Sequence, residues 1–178
     1  MAADLNLLVP EFKEKVIQLL ERCDNAGITM QPTETVRHPV RQAKLWRQSR
    51  ATSVIQEKIA DLRAGEADFL AQCIIDAGRQ NGDHVTNSIP GLSWHQWGES
   101  VDCVWIVNGD EEWSVTRKVN GQNGYHVYAT LAKELGLTPG GFWISFKDWP
   151  HVQLRSAANP GSDFSLKQIN DIMKERFS

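Results

Sequence analysis

The chain has 178 residues, a length that suits one domain able to bury roughly 70% of the surface its unfolded form exposes. With 41% hydrophobic and 23% charged residues it has the composition of a globular protein, and no run approaches the roughly eighteen continuous apolar residues of a membrane span. A net charge of −3 argues against nucleic acid as the main partner, because phosphate binding calls for a basic surplus.

The opening residues, Met1 to Leu5, lack the basic region and long apolar core of a secretory signal, so synthesis and retention in the cytoplasm are expected unless another route carries the protein out. Three cysteines (Cys23, Cys73 and Cys103) are odd in number and widely spaced. That spacing argues against both a disulfide framework and a cysteine-rich zinc site. A single domain over residues 1–178 is expected, with no repeat and no linker long enough to divide it.

In chain order, the first predicted element is a helix from Val9 to Asp24, with Pro10 in its first turn and Phe12, Val16, Leu19, Leu20 and Cys23 on one face. Gly27 ends it, and Ile28 to Val36 reads as a strand. Pro39 opens a second helix carrying Gln42, Leu45 and Trp46. Ser53 to Gln80 keeps helical periodicity through Ile55, Ile59 and Leu62 and again through Phe69, Leu70, Cys73 and Ile74, with a break at Arg63–Glu66. Turns follow at Asn81-Gly82-Asp83 and Pro90-Gly91.

Ser100 to Val107 alternates and is rich in β-branched and aromatic residues, which places Asp102 on a strand closed by Asn108-Gly109-Asp110. Tyr125 to Leu135 reads as a helix stopped by Gly136. His151 to Leu154 reads as a short strand and Phe164 to Phe177 as a closing helix. Strands and helices without regular alternation indicate an α+β fold, with a small antiparallel sheet and flanking helices.

Two short stretches carry candidate chemistry. Ser93-Trp94-His95-Gln96-Trp97-Gly98-Glu99-Ser100-Val101-Asp102 supplies an imidazole and, seven residues on, a carboxylate; Asp148-Trp149-Pro150-His151 supplies a second imidazole with a carboxylate three residues before it. His95, Asp102 and His151 together would leave a fourth tetrahedral position open for water, the ligand count of a catalytic zinc. Asp148 would then be placed to take a proton from that water. On residue types alone the bland alternative stays open, since an isolated histidine is more often a hydrogen-bonded core or surface residue than a ligand.

These motifs resemble peptidase family M15, which includes the VanX and VanY D,D-peptidases and the L-alanyl-D-glutamate endopeptidases of phage and bacteria. The family pattern S-x-H-x-x-G-x-x-x-D is met by Ser93, His95, Gly98 and Asp102, and its acidic-x-x-His pattern by Asp148 and His151. The run Gly136-Leu137 through Gly140-Gly141-Phe142-Trp143 is similar to the family's G-L-x-x-G-G-x-W. Upstream, Val36-Arg37-His38 stands where the family has Tyr-Arg-Ser, with Gln42 following at matching spacing.

The resemblance implies a Hedgehog/D,D-peptidase-like fold, a zinc cofactor on His95, Asp102 and His151, Asp148 as general base, and Arg37 as the charge that binds the developing oxyanion. Gln42 and Ser93 are secondary candidates for substrate binding or for supporting the site. His38, His84 and His126 match no ligand position. Aspartate rather than glutamate at position 148 points, within the family, to the L-Ala-D-Glu bond of peptidoglycan stem peptides, with a D,D-carboxypeptidase or dipeptidase as the alternative. An endolysin or an injected cell-wall-degrading effector fits a chain without a signal peptide, and an effector would call for an immunity protein. No membrane insertion and a monomeric state are expected.

Two rivals follow from other chemistry. One is a non-catalytic zinc-containing binding module, as in the signalling domain of Hedgehog proteins, against which an intact Asp148 and Arg37 count. The other is a cysteine hydrolase built on Cys103. That thiol follows Asp102 directly on a strand and should therefore face the opposite way, into the core.

Overall fold

The computed structural model describes residues 3–178. Met1 and Ala2, which open the stretch read above as lacking a secretory signal, lie outside the described residues. The chain forms two compact units, one holding the chain up to Val36 together with Trp97–Ser156, the other holding Arg37–Gln96 with Ala157–Ser178.

The first unit is built on an antiparallel sheet. Helix α1 (Pro10–Asn25) starts with Pro10, which needs no hydrogen-bond partner for its nitrogen, and buries Phe12, Val16, Leu19 and Cys23 on one stripe. Phe12, Val16 and Leu19 each contribute on the order of 1.5–3 kcal/mol on burial. Gly27, at φ +75°, turns the chain into β1 (Thr29–Glu34).

Strand β2 (Ser100–Val107) is the centre of the sheet. It pairs with β1 on one side, and with β5 (His151–Gln153) and β3 (Asp110–Glu112). β4 (Thr138–Pro139) pairs with β5, giving the order β1-β2-β5-β4. Alternation along β2 sends Val101, Cys103, Trp105 and Val107 into a core shared with α1 and helix α5 (Gly124–Glu134), while Ser100 and Asp102 belong to the opposite face.

The second unit is helical: α2 (Pro39–Arg47), α3 (Thr52–Ala64), α4 (Asp68–Asp76) and α6 (Leu166–Phe177). α4 packs against the other three. Its first-turn amides at Phe69 and Leu70 donate to Asn170 Oδ1 of α6, at 2.9 and 3.3 Å, and Arg47 Nη1 donates to Ile74 O near its end at 2.7 Å. A side chain from a neighbouring helix thereby serves each end of this short helix. α6 begins with a capping box in which Ser165 and Gln168 bond each other's backbone.

The architecture is the α+β arrangement expected from the sequence. β3 and β4 were not expected: Asn108 and Gly109, both at positive φ, form a hairpin turn into β3 rather than only ending β2. The first strand is shorter than the Ile28–Val36 reading. Between Pro32 and Glu34 its register shifts, leaving Thr33 as an extra residue opposite Asp102. Among the described residues no helix is long and apolar enough to cross a membrane.

Candidate metal centre

Asp102 and His151 face each other as a register pair of β2 and β5. The carbonyl of Asp102 accepts from Thr33 Oγ1 at 3.1 Å, so the bulge residue of β1 braces the strand at this point. Oδ1 of Asp102 lies 3.0 Å from Nδ1 of the buried His151, and the other ring nitrogen, Nε2, lies 3.1 Å from Oε1 of Gln153. Burial opposes charge on this imidazole. The hydrogen bond and charge of Asp102, the charge of Asp148 and the contact with Gln153 outweigh it and raise the His151 pKa above its usual value. The position favours positive charge next to Asp102.

Asp148 is half-buried at the head of the turn that delivers His151. Its amide donates to Gly140 O at 3.1 Å and its carbonyl accepts from His151 N at 3.2 Å. The Gly140-Gly141 pair makes that turn possible: a Cβ on Gly140 would sit 2.4 Å from Asp148 O, and one on Gly141 would sit 2.4 Å from the Trp149 ring. Trp149 stacks on His126 with ring centres 4.3 Å apart and planes 7° from parallel, and the Trp143 ring lies 5.2 Å from that of His151.

His95 lies in a single 3-10 turn, Trp94–Trp97, and is buried. The turn is fixed by Gln96 N donating to Ser93 O at 3.0 Å and by the Trp94 indole donating to Ala157 O at 2.8 Å. Arg37 reaches the same segment through its backbone, donating N–H to His95 O at 3.3 Å. Its guanidinium donates to Gln42 Oε1 at 2.9 Å. Gln42 is fully buried, donates to Ser88 O at 2.7 Å, and also accepts from Gln96 Nε2 at 3.2 Å. Gln96 in turn accepts from Gly91 N at 2.8 Å. Gln42 thus supports the Arg37 side chain through a buried amide network.

His95, Asp102 and His151 offer one ligand atom each, and these atoms all lie within 4.8 Å of one another, a group that could hold a metal ion. Two nitrogens and one oxygen are a donor set that suits zinc. The remaining histidines do other things. His38 caps α2, its Nδ1 accepting from Val40 N at 3.2 Å; His84 is exposed; His126 is the stacking partner of Trp149.

Sequence reasoning missed Gln153, Gln96 and the bidentate pair between Glu99 and Arg155. Amides carry no chemical signature in a sequence. Gln153 could still have been found, because it lies two residues after His151 on a predicted strand and so shares its face.

A family model described as VanY, D-alanyl-D-alanine carboxypeptidase, matches residues 5–158. The chain belongs to this family. The peptidoglycan L-alanyl-D-glutamate endopeptidase CwlK of Bacillus subtilis strain 168 is 31% identical over 78 residues, covering 42% of this chain and 47% of that protein. The match therefore spans about half the length of that relative. Two solved structures are similar. The L-Ala D-Glu endopeptidase ChiX of Serratia marcescens has 21% identity and a TM-score of 0.45, over 85% of this chain and 83% of that one. A vancomycin-resistance D,D-pentapeptidase VanY mutant in complex with Zn(II) has 14% identity and a TM-score of 0.45, over 96% and 84%.

Proposed function

We propose that this chain is a zinc metallopeptidase that hydrolyses peptidoglycan stem peptides at the L-Ala-D-Glu bond, in the setting of a phage or prophage endolysin or a secreted wall-degrading effector. One observation carries the reading: the ligand atoms of His95, Asp102 and His151 all lie within 4.8 Å of one another, with Asp148 three residues from the last of them. Zinc bound there supplies a Lewis acid for the scissile carbonyl and lowers the pKa of water toward neutrality.

The chain's own residues do the rest. Asp148 takes the proton from the attacking water and hands it to the departing amine, so that the amine leaves neutral. Arg37, its guanidinium held by Gln42, binds the carbonyl oxygen as negative charge grows on it. Gln42 and Ser93 hold the segments that carry Arg37 and His95.

Aspartate at position 148 and the likeness to CwlK support the L-Ala-D-Glu bond. The description of the matching family model favours a second reading, removal of a terminal D-alanine by the same machinery. Mass spectrometry of peptidoglycan digested by the protein separates the two. Fragments with a newly free D-Glu amine, abolished by chelator, restored by zinc and absent with Asp148→Ala, are expected. Released D-alanine would move the assignment to the second reading. No cleavage of several wall types by folded, zinc-loaded protein would leave a binding module.

A further inference from the structure

Gln153 is the middle of a short polar chain that ends on His151. It is 2% exposed, sits on the same face of β5 as His151, and is fixed from both sides by pairing with Ser100 of β2 and Thr138 of β4. Its side-chain nitrogen donates to Arg155 O at 2.7 Å. A carbonyl can only accept, so the NH2 end of the amide must face Arg155 and the oxygen must face His151. That oxygen, 3.1 Å from His151 Nε2, can only accept in its turn, and Nε2 must therefore carry a proton.

The consequence falls on the other nitrogen. In a neutral imidazole protonated at Nε2, Nδ1 holds a lone pair, and here it points at the Asp102 carboxylate 3.0 Å away. Two electron-rich atoms at that distance repel unless a cation lies with them. Without metal, a second proton on Nδ1, donated to Asp102, fills that place, and a metal ion takes over the same lone pair when it displaces the proton. The carbonyl that orients Gln153 is itself anchored, since Arg155 forms a bidentate pair with Glu99 and Leu154 N donates to Glu99 O at 2.9 Å.

We propose that Gln153 is a positioning residue: by accepting from Nε2 it fixes the tautomer and orientation of His151, so that Nδ1, beside Asp102, is the metal-binding nitrogen. The inference rests on the zinc reading above. A ligating imidazole whose outer N–H is held by an acceptor loses about 10- to 100-fold in metal affinity when that acceptor is removed.

The test is zinc affinity by chelator competition on the full chain, for wild type, Gln153→Met and Gln153→Glu. Methionine keeps the volume and removes the acceptor; a loss of about 10- to 100-fold is expected. Glutamate keeps an oxygen toward His151 but can no longer donate to Arg155. It is expected to retain zinc near wild-type affinity. Equal loss in both variants would mean that only the tether to Arg155 matters, and would overturn the proposal.

Should Gln153→Met fail to fold, long-range 1H–15N correlation on zinc-loaded wild type decides. His151 is expected with its proton on Nε2 and its metal-shifted signal on Nδ1, and the reverse assignment overturns the proposal. Wild type that binds no zinc would instead sink the proposed function itself, an outcome distinct from wild type and Gln153→Met binding equally well.

Discussion

Arg37 depends on the shape of its side chain as much as on its charge. The guanidinium donates to Gln42, whose amide is committed to Ser88 and Gln96 as well, so the cation is held by a buried scaffold rather than by solvent. Lysine would keep the charge but lose the planar fork, leaving a mobile ammonium and a buried Gln42 oxygen short of one donor. Arg37→Lys is therefore expected to lower kcat about 100- to 1,000-fold, with zinc content unchanged. Steady-state kinetics beside metal analysis reads this directly, and an unchanged kcat would remove Arg37 from the chemistry. At this scale the sequence was legible where residue types announce themselves. His95, Asp102 and His151 stand beside Gly or Pro turns, and the chain brings those three together. Gln42 carried a signal only through the family spacing. Gln153, Gln96 and the Glu99–Arg155 pair did not stand out, because an amide or a surface-type ion pair becomes informative only once its partners are known.

The longest elements were the most legible, and of the short strands only β5 was anticipated, in the reading of His151 to Leu154. The apolar stripe of α1 and the alternation of β2 each repeat often enough to fix type and face, and β2 runs over the residues read as a strand. β3 and β4, three and two residues long, are too short to show a period, and the 3-10 turn bearing His95 shows none at all. What the sequence did display without explaining was Gly140-Gly141. The structure supplies the reason: the backbone of the Asp148 turn passes so close to Gly140 that a Cβ there would lie 2.4 Å from Asp148 O and 3.1 Å from Asp148 Cβ. Backbone cannot yield as a flexible side chain can, so Gly140→Ala must push the Asp148 turn away from its place. A cost of about 1–3 kcal/mol in stability is expected. Activity should fall further than stability alone explains, since Asp148 and its hydrogen bond to Gly140 O move together. Thermal melting and kcat measured on the same preparation check this; wild-type kcat in a folded Gly140→Ala protein would show that the close approach does not position Asp148.

For the molecule as a whole, the three thiols set its behaviour at high pH and close off one rival chemistry. Cys23, Cys73 and Cys103 are all buried and unpaired. Burial is the main cause that pushes each thiol up from 9.0 to about 12, against which the carboxylates of Asp24, Asp76 and Asp102 add smaller increments in the same direction. The folded chain therefore holds these protons to about pH 12, whereas the unfolded chain releases them near 9. Below pH 9 the contribution to stability is complete. Between 9 and 12 unfolding releases protons, so stability must fall as pH rises. Tyr125 and Tyr128, also raised by burial, act in the same direction. Melting temperature is thus expected to drop progressively as pH rises above 9, and a flat profile from pH 9 to 11 would contradict it. The same burial governs reactivity, because the thiolate and not the thiol is the nucleophile. At pH 8 iodoacetamide should label none of the three cysteines in native protein and all three after denaturation, with peptidase activity untouched by the native treatment. Rapid native labelling of Cys103 with loss of activity would reopen the cysteine-hydrolase reading. Its place on β2 makes that outcome hard to reach, since the alternation that gives Asp102 to one face of the strand gives Cys103 to the core.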